Sequence, residues 1–203
     1  MHHTGGPGWR ITLDTSGTML LALYLRDAAG LHGAGDPAVS PAEPKVRLID
    51  PRQAVARAGG VEALRIEWAC WWEGLAAGKP SAVTVLDPPG FLAFTGSPAL
   101  QRFCQAHFGA ALSWGRERKV EYTRLEAARQ ITGEPRLLGQ LVEEREMELG
   151  RNARSFTLNI IELPLLELRA WYIEPGRLIM SKHLLDDEDA LRSFLQPIIE
   201  LLV

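Results

Sequence analysis

Cysteine and lysine are scarce in this chain of 203 residues. The two cysteines, Cys70 and Cys104, stand far apart and form no CxxC pair, so neither a disulfide framework nor a zinc-ligand pattern is indicated. We therefore expect free thiols in a reducing compartment. Only four of the 22 basic residues are lysine, and with the abundant Ala, Gly and Pro this composition favours a GC-rich bacterial genome.

An excess of positive charge and long hydrophobic stretches are also missing. The net charge of −3 provides no basic surplus to neutralise phosphates, which argues against a nucleic acid as the main partner. The apolar run over residues 19–25 is far shorter than the roughly 20 residues that a membrane helix needs. No basic region followed by an apolar stretch marks a secretory signal. We expect a cytoplasmic protein without a membrane span.

Phosphate-binding and nucleophile motifs are absent as well. The chain contains no Gly-x-x-x-x-Gly-Lys-Ser/Thr, no Gly-x-Gly-x-x-Gly and no Gly-x-Ser-x-Gly. Cys104 and His107 stand at helical spacing and could activate a thiol, although a packed cysteine beside a core histidine explains them better. His183 and the acids of residues 186–189 could bind a cation, but capping of the last helix is the favoured interpretation. We assign no catalytic residue and no cofactor.

The string Asp14-Thr-Ser-Gly-Thr-Met19 is the one segment that looks like a motif. It resembles the Asp-x-Ser-x-Ser metal-ion-dependent adhesion motif of von Willebrand factor A domains. That resemblance implies a Mg²⁺ site built by Asp14, Ser16 and Thr18, because carboxylate and hydroxyl oxygens suit a hard cation. The string is also similar to the opening strand-turn-strand of actin-like (acetate-kinase-type) ATPases, which implies contact with phosphate and metal.

A turn is the competing interpretation of the same string. Residues 9–14 alternate apolar and polar side chains as a half-buried strand does, and residues 15–17 have turn chemistry. If residues 19–25 form a second strand, residues 9–26 are a hairpin and Asp14 serves only its turn. We favour the hairpin and keep the metal- or nucleotide-binding site as the alternative.

The remaining elements predict an α+β fold with a mostly antiparallel sheet and helices packed on one face. Residues 1–8 are expected to be a flexible tail, and residues 9–203 a single domain with a long Pro/Gly-rich loop at 30–45. Amphipathic helices are predicted from about residues 61 and 98, and a further short helix from Thr123. A C-terminal β-meander, with a turn at residues 174–177, is closed by a final helix capped by Asp186 or Asp187.

Tryptophan is the conspicuous surplus, with six in the chain. Trp68, Trp71 and Trp72 share one amphipathic helix, where they form either core or a contact surface, since Trp is enriched in interface hot spots. These features favour a non-catalytic interaction protein, of accessory or immunity type, that binds a protein partner or self-associates as a homo-oligomer. The Trp68, Trp71 and Trp72 face is the predicted partner-binding surface.

Overall fold

The computed structural model describes residues 2–6, 8–83, 86–132 and 136–203. Over these residues the chain has an α+β fold with six α-helices and one five-stranded sheet. The helices are α1 (Gly17–Ala28), α2 (Arg52–Val55), α3 (Gly60–Ala76), α4 (Pro98–Thr132), α5 (Arg136–Leu149) and α6 (Glu188–Leu202). The strands are β1 (His2–Gly6), β2 (Trp9–Asp14), β3 (Phe156–Leu163), β4 (Ala170–Ile173) and β5 (Arg177–Ser181).

The chain divides into two compact units. The first unit comprises residues 1–16 and 119–203, and the second comprises residues 17–118. The sheet, α5, α6 and the C-terminal part of α4 belong to the first unit, whereas α1, α2, α3 and the start of α4 belong to the second. The prediction of one domain over residues 9–203 is not decided by this division.

The sheet is mixed, so the prediction of a mostly antiparallel sheet was wrong. Its strand order is β1-β2-β3-β5-β4, with β3 parallel to both β2 and β5. Only the two outer pairs, β1 with β2 and β4 with β5, are antiparallel. The hairpin of β4 and β5 forms as expected, but β5 rather than β4 lies beside β3. This order places β4 at one edge of the sheet.

Gly176 shows why this pairing is possible. It lies in the β4–β5 turn with a φ of 65°, and its carbonyl accepts a hydrogen bond from the backbone N–H of Asn159 at 2.8 Å. A Cβ at this position would lie 2.3 Å from the carbonyl oxygen of Thr157. Glycine therefore supplies both the turn geometry and the close approach of the hairpin to β3.

The predicted N-terminal hairpin is replaced by a strand followed by a helix. β2 ends at Asp14 as expected, but the apolar run 19–25 lies inside α1. That run consists of Met, Leu, Ala and Tyr and contains no β-branched residue, so its intrinsic preference favours a helix. Because most of the helix is buried, it lacks the narrow apolar stripe that would have distinguished it from a buried strand.

Residues 1–8 and 30–45 were both predicted to lack regular structure, and the prediction holds only for residues 30–45. Within the predicted tail 1–8, residues His2–Gly6 form β1, whose backbone pairs with β2 from His2 opposite Leu13 to Gly6 opposite Trp9. Pairing satisfies donors and acceptors that β2 would otherwise leave open along that edge. Residues 30–45 contain no helix or strand longer than a single bridge, as the sequence predicts, yet several of their side chains are buried.

The core of the first unit lies between one face of the sheet and helices α5 and α6. β2, β3 and β5 contribute alternating apolar side chains from neighbouring register positions, so that Leu13 pairs with Ile160, and Ile160 with Leu178. α6 begins at its predicted cap, where Asp187 Oδ1 accepts a hydrogen bond from the N–H of Ala190 at 2.9 Å. Over the described residues, no helix has the length and apolar content needed to cross a bilayer.

Candidate functional site

The Asp14 string lies at the carboxyl end of β2. Asp14 is exposed and occupies the register position beside Ile161 of the parallel strand β3. Ser16 follows it in the first unit, while Thr18 lies in the first turn of α1 in the second unit. Ligands of open α/β sheets commonly bind outside the carboxyl ends of parallel strands, so the position of Asp14 is compatible with a ligand site.

Metal-ligand clusters are not found near this string. Among the residues that the structure describes, no group of three or more His, Cys, Asp or Glu side chains could hold a metal ion. The hydroxyls of Ser16 and Thr18 are ligands of another kind, which such a group does not include. The Mg²⁺ interpretation of Asp14, Ser16 and Thr18 therefore stays a prediction.

The tryptophans of α3 lie in the interior of the second unit. Trp68 and Trp72 are fully buried with stacked rings 5.5 Å apart, and Trp71 is 7% exposed. Each indole N–H donates to a backbone carbonyl: Trp68 to Ala22 at 2.9 Å, Trp72 to Pro37 at 2.9 Å and Trp71 to Ala82 at 3.0 Å. These side chains are thus occupied within their own chain, and their role as a partner-binding surface stays untested.

The same unit contains a buried ion pair that orders the long loop 30–45. Arg26 Nε donates to Asp27 Oδ1 at 2.6 Å, and both side chains are at most 3% exposed. The Arg26 guanidinium also donates to the carbonyls of Val39 and Ser40, each at 2.8 Å, while Asp27 Oδ2 accepts from the N–H of Ala42 at 2.6 Å. A Pro/Gly-rich segment without regular structure is therefore held by two adjacent charged residues of α1.

The thiol alternative is not supported by the surroundings of Cys104. The Cys104 side chain is fully buried in α4, and this burial raises its thiol pKa to about 12. Burial also lowers the pKa of His107, whose ring lies 4.5 Å from that of Phe103. A nucleophilic cysteine needs an accessible, stabilised thiolate, and Cys104 has the opposite environment.

A buried charged group that the sequence did not reveal lies in the first unit. Arg129 of α4 donates from Nη1 to Glu162 Oε1 of β3 at 2.7 Å, and from Nη2 to Asp186 Oδ1 at 3.1 Å. Its Nη2 also donates to the backbone carbonyl of Lys182. The Arg129 and Glu162 side chains are each only 6% exposed. We call Arg129, Glu162, Lys182 and Asp186 the Arg129 cluster.

Glu162 of the Arg129 cluster holds its proton more tightly than an ordinary glutamate, chiefly because it is buried. Burial raises the pKa of Glu162 to about 7, and nearby Asp186 and Glu126 act in the same direction against the opposing effect of Arg129. The pKa of Arg129 is raised by Glu162 and Asp186 despite its own burial. Carboxyl groups that titrate near neutral pH are typical of functional sites, although structural ion pairs shift pKa values too.

One signal in the sequence could have indicated this cluster. Glu162 is a charged residue inside the apolar strand segment Ile160-Ile161-Glu162-Leu163, on the face that carries Ile160 toward the core. A charge at such a position requires a buried partner. The partner itself could not be found from sequence, because Arg129 precedes Glu162 by 33 residues.

His183 and the acidic run 186–189 have two structural roles: contacts with Arg129 and the start of α6. His183 Nδ1 lies 3.0 Å from Asp186 Oδ2, and Asp186 in turn accepts from Arg129. Asp187 caps α6, and Glu188 forms an ion pair with Arg192 at 3.0 Å. The helix-capping interpretation of the acidic run is confirmed for Asp187.

Comparison with known proteins identifies no relative. No protein-family model matches the chain, and no match is found among curated proteins or among solved structures.

Proposed function

We propose that this protein is a non-catalytic interaction protein, of accessory or immunity type, that binds a protein partner in the bacterial cytoplasm. The supporting observation is the segment between β3 and β4, residues 164–169. Leu166 is 60% exposed and Leu168 is 47% exposed. Two large apolar side chains exposed within one short segment can contribute to a contact surface.

The shape of this segment is fixed by hydrogen bonds at both ends. The Ser181 hydroxyl donates to the carbonyl of Leu165 at 3.2 Å, and the Ser181 backbone N–H donates to the carbonyl of Arg169 at 3.0 Å. Both bonds attach the segment to β5, so its two exposed leucines face outward from an anchored loop. An anchored loop loses less conformational entropy when a partner binds.

The adjoining strand β4 adds backbone groups to the same surface. Over the residues that the structure describes, β4 is the last strand in the order of the sheet and pairs with β5 alone. An edge strand can add an extended partner segment through main-chain hydrogen bonds, while neighbouring apolar side chains provide affinity. We propose that the partner contacts β4 together with Leu166 and Leu168, rather than the buried Trp68, Trp71 and Trp72.

Site-specific crosslinking tests this surface. A photo-crosslinking residue at position 168 should capture one defined protein in the native host, and the same residue at position 92 should not. Leu92 is a matched control because it is 75% exposed in the second unit. The double variant Leu166→Ser with Leu168→Ser should abolish co-purification of that protein, whereas Leu92→Ser should leave it unchanged.

Light scattering separates self-association from binding of another protein. If the partner is a second copy, the wild type is an oligomer and the double variant a monomer. A strictly monomeric wild type that captures no protein at position 168 would overturn the proposal, and so would equal capture at positions 168 and 92.

Binding of Mg²⁺ or a nucleotide at the Asp14 string is the second candidate function. The string follows a strand and precedes a helix, instead of forming the turn of the predicted hairpin. This favours the second candidate, because the carboxyl end of a parallel strand followed by a helix is a common ligand position. Titration calorimetry with Mg²⁺ and ATP should give heat with the wild type and none with Asp14→Ala. Asp50→Ala, which removes another exposed aspartate, is the control. No heat with the wild type ends this candidate.

A further inference from the structure

The open edge of β4 presents a defined set of backbone groups. The N–H of Ser181 donates to the carbonyl of Arg169 at 3.0 Å, which makes these two residues a hydrogen-bonded pair that extends the β4–β5 ladder. Hydrogen-bonded and non-hydrogen-bonded pairs alternate along an antiparallel ladder. The backbone groups of Trp171 therefore point toward β5, and those of Ala170 and Tyr172 point away from it. Both of these residues offer an N–H and a C=O at the open edge.

The side chains of β4 leave this edge without the usual protection against strand pairing. Residues 170–173 are Ala, Trp, Tyr and Ile, of which the last three favour extended structure, and they include neither a charge nor a proline. The strand at the other end of the sheet order differs, because β1 contains Gly5 and Gly6, which have no side chains for cross-strand contacts. Of these two strands, β4 is the one suited to pair with a further strand.

Charges at the two ends of β4 favour a partner strand that is its own copy. Arg169 precedes the strand and Glu174 follows it, and both residues are exposed. When two copies pair antiparallel, the start of one β4 lies beside the end of the other, so opposite charges lie near each other twice. Parallel pairing of two copies in register would bring like charges together instead.

We propose that β4 pairs antiparallel with β4 of a second copy of this chain, so that the two sheets become continuous. This inference rests on the proposed function and identifies its protein partner as a second copy. When Trp171 lies opposite Trp171 of the second copy, Ala170 and Tyr172 form hydrogen-bonded pairs in both directions, which satisfies every open backbone group of the two strands. The same register places Arg169 of each copy near the acidic end of the other strand.

The two Trp171 side chains add to this pairing. Ala170 and Tyr172 pack against the core of the first unit, so Trp171 lies on the opposite face of the sheet. Trp171 opposite its counterpart is a non-hydrogen-bonded pair, the kind in which cross-strand side chains lie closest. Aromatic pairs at such positions stabilise the pairing of strands.

Proline at the open edge tests the pairing. Ala170→Pro removes an N–H that points away from β5, so it spares the ladder with β5 and removes one hydrogen bond per copy from the new pairing. Light scattering over a range of concentrations should find a dimer for the wild type and a dissociation constant at least about tenfold higher for Ala170→Pro. Ala170→Val, which also enlarges the side chain but keeps the N–H, is the matched control and should remain a dimer. A strictly monomeric wild type overturns the proposal, and so does a dimer that Ala170→Pro leaves unchanged.

Disulfide formation tests the register. In a Cys70→Ser background, which removes the exposed native thiol, Trp171→Cys should give covalent dimers, because the Cα atoms of a non-hydrogen-bonded pair lie about 4.5 Å apart. Ile173→Cys lies on the same face and should remain monomeric in a denaturing gel, since its counterpart lies four positions further along, roughly 13 Å away. Equal crosslinking of the two variants, or of neither, contradicts the pairing of Trp171 with itself.

The outcomes for self-pairing and for the proposed function can be told apart. If the photo-crosslinking residue at position 168 captures another protein and the wild type is a monomer, self-pairing is wrong and partner binding at this edge stands. If the wild type is a monomer and position 168 captures nothing, both are wrong.

Discussion

Burial controls the chemistry of individual side chains in both units. Glu162 and Cys104 have almost no exposed surface, and in each case burial raises the pKa of the acidic group. For Glu162 the shift brings titration near neutral pH, whereas for Cys104 it suppresses the thiolate. The same physical cause therefore makes one residue responsive and the other inert.

Thiol labelling should distinguish the two cysteines. Cys70 is exposed on α3 and should react within the time course of an ordinary free thiol, while Cys104 should react only on unfolding. A pKa of about 12 instead of 9.0 reduces the thiolate fraction of Cys104 roughly a thousandfold, and burial also blocks the reagent. The measurement is the labelling rate of the folded protein at neutral pH, with Cys70→Ser as control. Rapid labelling of Cys70→Ser would contradict the buried thiol.

Some residue roles could be predicted from sequence and others could not. The cap of α6 and the turn at residues 174–177 depend on local geometry, and the sequence predicted the turn and limited the cap to Asp186 or Asp187. The pairing of Arg129 with Glu162 depends on how α4 packs against β3, which no local pattern encodes. For Trp68, Trp71 and Trp72 the sequence did not decide between a position in the core and one on a contact surface. In the structure these side chains are buried and donate hydrogen bonds within their own chain, as core residues do.

Among the helices and strands, those with a clear apolar stripe could be located from the sequence, whereas those buried on most sides could not. α3 and the start of α4 have clear apolar stripes and were located from them, but α4 runs uninterrupted to Thr132 instead of giving way to a short helix at Thr123. α1 was mistaken for a strand because an element buried on most sides loses its periodicity. The order of strands in the sheet depends on contacts between distant segments, so local signals could predict the β4–β5 hairpin but not its orientation beside β3.

The loop 30–45 should depend on the ion pair at the end of α1. Arg26→Met removes the guanidinium beside the buried carboxylate of Asp27, which then has the half-exposed His32 at 3.6 Å as a neighbour. The loss of one partner of a buried pair costs about 3–5 kcal/mol. We expect a lower free energy of unfolding and faster hydrogen exchange at the N–H of Ala42, which donates to Asp27.

An exposed ion pair in the same unit provides the control for this substitution. Arg52 and Asp50 lie 2.9 Å apart with side chains 81% and 58% exposed, so Arg52→Met should cause no measurable loss of stability. The role assigned to Arg26 would be wrong if Arg26→Met and Arg52→Met had equal stability in urea unfolding and the exchange of Ala42 were unchanged.

At the scale of the whole molecule, the way in which the chain connects the two units bears on whether they unfold together. The first unit is discontinuous in sequence, and its β2–β3 ladder joins residues on either side of the second unit. Closing that ladder therefore closes a loop of chain that includes the second unit. α4 is also divided between the units at residues 118 and 119 while remaining one helix.

This connectivity predicts that the chain unfolds in a single transition, as expected of one domain over residues 9–203. Leu195→Ala removes a fully buried side chain from the first unit, and Leu64→Ala removes one from the second. Each should cost about 2–5 kcal/mol through lost burial and the cavity that remains. If the units are cooperative, either substitution shifts the same urea transition, whether it is followed by tryptophan fluorescence or by far-UV circular dichroism. Two separate transitions, each shifted by only one of the substitutions, would instead establish two domains, with the second inserted between the two segments of the first.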